Sequence, residues 1–435
     1  MSTASSQRPG RHTAARLPRP TANKNFKEHA VKSKVFSSIE NSRAGIIELE
    51  TLLTSVQAIA PESGGQGELE KAVALEKWLR AHGIADIVRM DAKDERVASG
   101  IRPNLVATIH GKNDRARLWI MTHLDVVPEG DTSMWKSDPW KVVVKDGTLI
   151  GRGVEDNQQG LVSSVVAALA FVSQGIVPER TIKLLFVADE EVGSKFGIQH
   201  LIAHYDLFNK DDLIIIPDGG NAEGSEIEVA EKNICWLKVK TKGVQTHAAM
   251  PDKGVNAFLA ASDLALRFHS LETSVFTARD ALFEPDRTTI NPTKKEANVP
   301  NVNTIPGDDV FCVDMRILPV YPVAMVLAEA RKLADAVEME YKVKVDFEVL
   351  QSNESKATPA DAPVVASLKR AVKEVYGVEA KPIGIGGGTV GAYLRKAGFD
   401  CVVWAKMNET AHQPNENAEI ANIIGDAKVF ASLAM

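Results

Sequence analysis

Residues 117–125 read RLWIMTHLD, and the fold turns on this stretch. An apolar run stops at His123, leaves one apolar position and places Asp125. Two later segments repeat the grammar. TIKLLFVADEE (181–191) closes on Glu190 and Glu191, and DDLIIIPDGG (211–220) closes on Asp218 and two glycines. None of the three alternates apolar with polar residues, so both faces of each strand are expected to be covered. Helical periodicity lies between them, most clearly at 157–175. Strands alternating with helices mean an α/β protein with a mostly parallel central sheet covered by helices. In such sheets ligands bind at the carboxyl ends of strands, where His123, Asp125, Glu190, Glu191 and Asp218 collect. Carboxylates massed on one edge repel one another unless a positive charge sits among them.

The bounds of the chain fit this reading. Its 435 residues favour two domains over one. A composition of 44% hydrophobic and 25% charged residues is that of a soluble globular protein with a sizeable core. The formal charge of −6 is too mild to make nucleic acid or an anionic membrane the main partner. No segment supplies the ~18 clean apolar residues of a membrane span. The nearest, 161–177, is broken by Ser163, Ser164, Ser173, Gln174 and Gly175 and reads as a buried helix. Cys235, Cys312 and Cys401 are odd in number and far apart, which argues against a disulfide framework and for the reducing cytoplasm. The first 27 residues carry six Arg or Lys and no acid. A targeting peptide shares that composition with a disordered tail. Pro9, Pro18 and Pro20 would interrupt an amphipathic helix, so residues 1–36 are read as a flexible basic tail. Its charges have no aromatic interleaving that would favour nucleic acid.

Further along, a helix is expected from about Ser37 toward Ala60, another over 67–82, and a hairpin over 141–153 around Asp146-Gly147. From Lys232 the grammar changes. CWLKVKTKG alternates, as a half-exposed strand does. A helix at 254–270, strands near 297–305 and 308–317, a helix at 322–340 and a strand at 342–350 give a β-α-β-β-α-β order, a ferredoxin-like α+β unit. Non-alternating grammar returns afterwards. Residues 232–348 are therefore read as an inserted lid and dimerisation domain, and 37–231 with 349–435 as the catalytic domain.

The candidate ligands are His123, Asp156, Glu190, Glu191, Asp218 and His412. All offer nitrogen or hard oxygen, so zinc, cobalt or manganese suits them and a thiolate site is excluded. The set exceeds the needs of one zinc ion. Two divalent ions, about 3.5–4 Å apart and bridged by a carboxylate, would use it. Each piece has an ordinary reading when taken alone. Glu190-Glu191 could open a solvated loop, GRGVED (151–156) could be a plain turn, and His412 could be a surface histidine.

Their joint order resolves the matter. THLDVVP, GRGVEDNQQG, ADEEVGS, PDGG, GVQTHAAMPDKGVNA, NTIPGD, DMRI, GGGT and ETAHQPNE occur along residues 45–435. In that order the chain resembles the M20 metallopeptidase family, the group of carboxypeptidase G2, aminoacylase, succinyl-diaminopimelate desuccinylase, acetylornithine deacetylase and PepV-type dipeptidases. The resemblance implies a zinc-exopeptidase-like catalytic fold and two metal ions, zinc before cobalt or manganese. It implies that His123 and Asp218 bind one ion, Glu191 and His412 the other, and Asp156 both. Asp125 would orient His123 with its carboxylate, and Glu190 would be the general base. In the inserted unit His247 would stabilise an oxyanion, often in the partner subunit of a homodimer. Arg316 would grip a substrate carboxylate and Asn303 would touch substrate, while Gly387, Gly388 and Thr389 would offer it backbone N–H groups. GIGGGT lacks the Lys-Ser/Thr of a phosphate-binding loop. The residues after Asp156 depart from the family pattern: Asn157-Gln158-Gln159 stand where a lysine is often seen before the glycine. Asp at position 218 leans toward a dipeptidase or exopeptidase acting on a small peptide, with an N-acyl-amino-acid deacylase as the alternative. A non-catalytic binding protein of the same fold would not need so complete a site.

Overall fold

The computed structural model describes residues 22–435. Residues 1–21 of the expected tail lie outside the described residues. The rest of that tail is a correction: Ala22–Glu40 is helical. Val35 and Ile39, one turn apart, are fully buried, and Lys428 pairs with Glu40 at 2.7 Å to tie this helix to the last one. A second helix, Arg43–Thr54, follows after a two-residue break, so the helix expected toward Ala60 ends early.

Eight strands form the central sheet, in the order Ile87–Arg89, Leu105–Ile109, Arg180–Val187, Asn113–His123, Leu213–Asn221, Cys401–Lys406, Glu226–Glu231, Lys381–Ile385. The middle of the sheet is parallel, with Asn113–His123 flanked by Arg180–Val187 on one side and Leu213–Asn221 on the other. Antiparallel strands extend both sides. The absence of alternation has the expected cause. Leu118 and Ile120 enter one hydrophobic core, while Trp119 and Met121 enter another on the opposite face. Ile182 and Leu184 divide from Leu185 and Val187 in the same way. Each large apolar side chain buried like this is worth about 1.5–3 kcal/mol. The helix Gln158–Ser173 packs on the first face. Its Gly160 lies so close to the neighbouring strand that a Cβ would sit 2.5 Å from the Pro217 carbonyl oxygen. The hairpin is present: Val143–Lys145 pairs with Thr148–Ile150, and Asp146 and Gly147 both have positive φ.

A second sheet is wholly antiparallel, in the order Thr289–Lys295, Asp308–Ile317, Asn233–Lys242, Lys344–Asn353. Helices Ala257–Ser274 and Val323–Tyr341 cover one face around Phe268, Phe276 and Phe311. This is the β-α-β-β-α-β unit of ferredoxin-like type. The strand expected near 297–305 lies earlier, at Thr289–Lys295. Residues 304–305 pair instead with Thr246–His247 in a small ribbon. Among the described residues no helix is long and apolar enough to cross a membrane.

Candidate metal centre

Three strand ends of the central sheet converge. His123 is the last residue of its strand and pairs with Val187, four positions before Glu191. On the other side the register runs Leu118–Leu213, Trp119–Ile214, Ile120–Ile215. Carried three residues further, it sets Asp218 beside His123, and His123 Nε2 stands 3.4 Å from Asp218 Oδ1. Asp156 arrives from the loop before the helix Gln158–Ser173, with Oδ1 2.9 Å from the same Nε2. Its Oδ2 lies 3.1 Å from His412 Nε2, which is 3.0 Å from Glu191 Oε2. Two trios result, His123–Asp156–Asp218 and Asp156–Glu191–His412, each with its donor atoms within 4.8 Å. Asp156 belongs to both. All five expected ligands are thus brought together, and their donor set fits two dications of the zinc, cobalt or manganese type.

The electrostatics fit as well. Burial and the Asp218 charge push Glu190 well above the ordinary carboxylate range. Burial also raises Asp218 and Glu191. Burial opposes the charged form of Asp156, yet bonds from His123 and His412 outweigh it and hold its carboxyl far below the usual range. His412 is raised to about 10 by its bonds to Asp156 and Glu191. Positive charge is thus favoured among the carboxylates, and a dication would carry more of it. Glu190 and Glu191 sit in one short helical turn, after Asp189 at φ 68°. The Asp125 carboxylate fixes that turn, accepting the N–H of Glu190 at 3.1 Å and of Glu191 at 3.0 Å. Asp125 therefore departs from its expected role in part. The His123 ring is oriented by the Asp125 main-chain carbonyl, 2.9 Å from Nδ1, while the carboxylate stands 3.6 Å away.

Among the described residues, none of the expected substrate residues makes a hydrogen bond or ion pair to this cluster. His247 is exposed, and its Nδ1 accepts the Ala249 N–H within its own turn. The Asn303 carbonyl accepts the Ala248 N–H, just beyond the end of the small ribbon. Arg316 already has its fork on Asp314, at 2.8 and 3.0 Å, and donates to the Gly386 carbonyl at 2.8 Å. Gly387 and Gly388 are exposed beside it. Thr389 donates to Glu231 through its hydroxyl at 2.5 Å and its N–H at 3.2 Å.

Three residues outside the expected set support the ligands. Asn157 donates to the Pro217 carbonyl at 2.8 Å and to Asp218 Oδ1 at 2.6 Å, which makes the departure after Asp156 a support for a ligand. Glu155 and Glu416, both buried, bind the loops that carry Asp156 and His412. The available signal was an acid next to a ligand in VEDN, and a second acid closing ETAHQPNE.

The sequence profile of peptidase family M20/M25/M40 matches residues 119–435. An uncharacterized metallohydrolase of Methanococcus maripaludis is 38% identical over 410 residues, covering 89% of this chain and 98% of the relative. A succinyl-diaminopimelate desuccinylase of Ruegeria sp. is 26% identical over 380 residues, covering 87% and 94%. The aminopeptidase PepT of Bacillus cereus superposes with a TM-score of 0.72 at 20% identity, over 90% of this chain and 98% of its own. Human carnosine dipeptidase 1 gives 0.69 at 18% identity, over 93% and 98%. These two likenesses concern the fold.

Proposed function

The chain belongs to peptidase family M20/M25/M40 and is a metallohydrolase acting on C–N bonds, and from that premise we propose a dinuclear amide hydrolase of small substrates, a dipeptidase or related exopeptidase. The observation that carries the reading is the pair of histidine–carboxylate trios sharing Asp156, with Glu190 beside them. Two dications there, zinc first and cobalt or manganese otherwise, would supply Lewis acidity to a scissile carbonyl and acidify a water. His123 and Asp218 would hold one ion, Glu191 and His412 the other. Glu190 takes the proton of the attacking water and delivers it to the leaving amine. A raised carboxylate suits both halves of that task. Asp125 keeps the Glu190–Glu191 turn and the His123 ring in place. His247 stabilises the developing oxyanion, and Asn303 contacts substrate. Arg316 exchanges Asp314 for a substrate carboxylate, with Gly387, Gly388 and Thr389 lining its path.

The lid pairs two copies of the chain. Support comes from the helix Ala257–Ser274, which turns Phe258, Leu259 and Leu266 outward at 44%, 55% and 72% exposure, beside the edge strand Thr289–Lys295. An isologous contact would cover that face and carry the exposed His247 toward the neighbour's centre. We place the chain in the cytoplasm on its three unpaired cysteines. The deacylase alternative rests on relatives such as the Ruegeria desuccinylase. A metal-reconstituted screen of dipeptides against N-acetyl and N-succinyl amino acids separates the two. Preference for dipeptides is expected, and preference for the acyl compounds would reverse the assignment.

A further inference from the structure

Two buried carboxylates outside the ligand set bridge the loops of the candidate centre. Glu155 and Glu416 are 2% and 0% exposed. Glu155 precedes Asp156, yet its side chain reaches the other loop. It accepts the N–H groups of Asn408 and Thr410 and, at 2.7 Å, the Thr410 hydroxyl. Thr410 stands two residues before His412. Glu416, four residues beyond His412, reaches back. It accepts the N–H groups of Gly153, Glu155 and Asp156, each at 3.0 Å, and Arg152 Nη1 at 2.7 Å. Each loop is thus held by a carboxylate from the other.

The loop that carries His412 needs such outside support. Glu409, His412 and Asn415 all adopt positive φ, at 59°, 62° and 63°. Non-glycine residues in that region are strained and persist only where their surroundings over-determine them. A buried carboxylate is costly unless fully bonded, and apolar side chains could fill the same space. These two spend their bonding capacity on the backbone around Asp156 and His412, whose side chains meet at 3.1 Å.

We infer that Glu155 and Glu416 are positioning residues, a reciprocal clasp that sets the distance between Asp156 and His412 and so fixes the second trio for its ion. The inference rests on the dinuclear reading above. Glu155 holds only the His412 loop, so its loss should act on one trio. Glu416 holds the main chain of Asp156, which both trios share, so its loss should act on both.

The test is calorimetric titration of metal-free protein with zinc, together with the visible spectrum of the cobalt-loaded form, well below the melting temperature. Wild-type protein should take up two ions. Glu155→Gln should weaken one of them by about 10–100-fold, the usual cost of losing a partner behind a ligand, and leave the other unchanged. Half of the cobalt bands should shift with it. Glu416→Gln should weaken both. Glu409→Gln removes an exposed acid from the same loop and should titrate like wild type. Should Glu416→Gln not fold, Glu416→Asp, which shortens the same carboxylate and keeps its charge, carries the second arm, with a smaller loss at both ions. Two-ion binding in wild type with Glu155→Gln titrating identically overturns the clasp alone. So does equal loss of both ions in Glu155→Gln with a collapse of the metal-free melting temperature, which marks general structural damage. Wild-type protein that binds fewer than two ions overturns the dinuclear reading and the clasp together.

Discussion

The two sheets of this protein hold their functional residues in opposite ways. The central sheet is buried on both faces, and His123 and Asp125 at its edge are 3% and 1% exposed. Every candidate ligand there is reached by bonds from at least one other element. The lid sheet is covered on one face. Its candidates are exposed, like His247, or engaged elsewhere, like Arg316 on Asp314. A rigid cluster can fix charges to within a few tenths of an ångström. A half-covered unit can move and let residues change partners. The contrast fits the proposed division, with ions and base in the first region and substrate contacts, the oxyanion histidine among them, in the second.

The sharpest way to break it is at Glu190. Glu190→Ala should lower kcat by ~10²–10⁴ while metal content stays near that of wild type, because the ligands are held by other residues. Retention of more than about a tenth of wild-type kcat would remove Glu190 as the base.

The lid gives the next effect. His247→Ala should lose most of kcat with its metal intact. If His247 serves the neighbouring subunit, mixing that variant with Glu190→Ala restores roughly a quarter of wild-type turnover, since half the dimers are mixed and one centre in each is complete. Absence of recovery places His247 in its own chain's site.

The rigid region makes a pH prediction. His412 is raised to about 10 by Asp156 and Glu191, against about 6.5 when unfolded. In metal-free protein that pairing stabilises fully below the unfolded value and is lost as pH rises through the folded one. A dication requires the neutral ring, so its affinity should climb over the same range with release of a proton. The gap in melting temperature between loaded and metal-free protein should widen from pH 6.5 toward 10. Calorimetry in buffers of different ionisation heat would register the proton. An affinity flat across that window would mean that His412 gives up no proton to the ion there.

The same contrast explains what could be read from the sequence. His123, Glu190, Glu191 and Asp218 were legible because each closes an apolar run, where an ionisable group is costly without a purpose. The ferredoxin-like order was legible from alternation. Strands Glu226–Glu231 and Lys381–Ile385 were not, since the first has three glutamates and the second a proline and a glycine. Helix Ala22–Glu40 was hidden by its polar composition. Its burial depends on packing that involves residues near the other end of the chain, such as Lys428. Glu155 and Glu416 are joined across more than 250 positions, and no local pattern signals a partner at that distance. Asp125 was expected to orient His123 through its carboxylate, but its carbonyl lies nearer the ring nitrogen, at 2.9 against 3.6 Å. Only the local turn geometry decides between the two.

The smallest expected effect on stability tests the lid's open side. Leu259 and Leu266 are 55% and 72% exposed on the helix Ala257–Ser274, so replacing them with Glu should change the stability of a single chain by no more than about 0.5 kcal/mol each. If that face is the contact between copies, the double variant sediments as a monomer at micromolar concentration where wild type is a dimer. Its ion binding should be unchanged, because the trios lie in the other region. Turnover should fall only as far as it does in His247→Ala, since the missing contribution would be the neighbour's histidine. A variant that remains dimeric moves the contact to another surface. A wild-type monomer at the same concentration removes the dimer, and with it the role of His247 in a second subunit, and leaves the buried cluster as it stands.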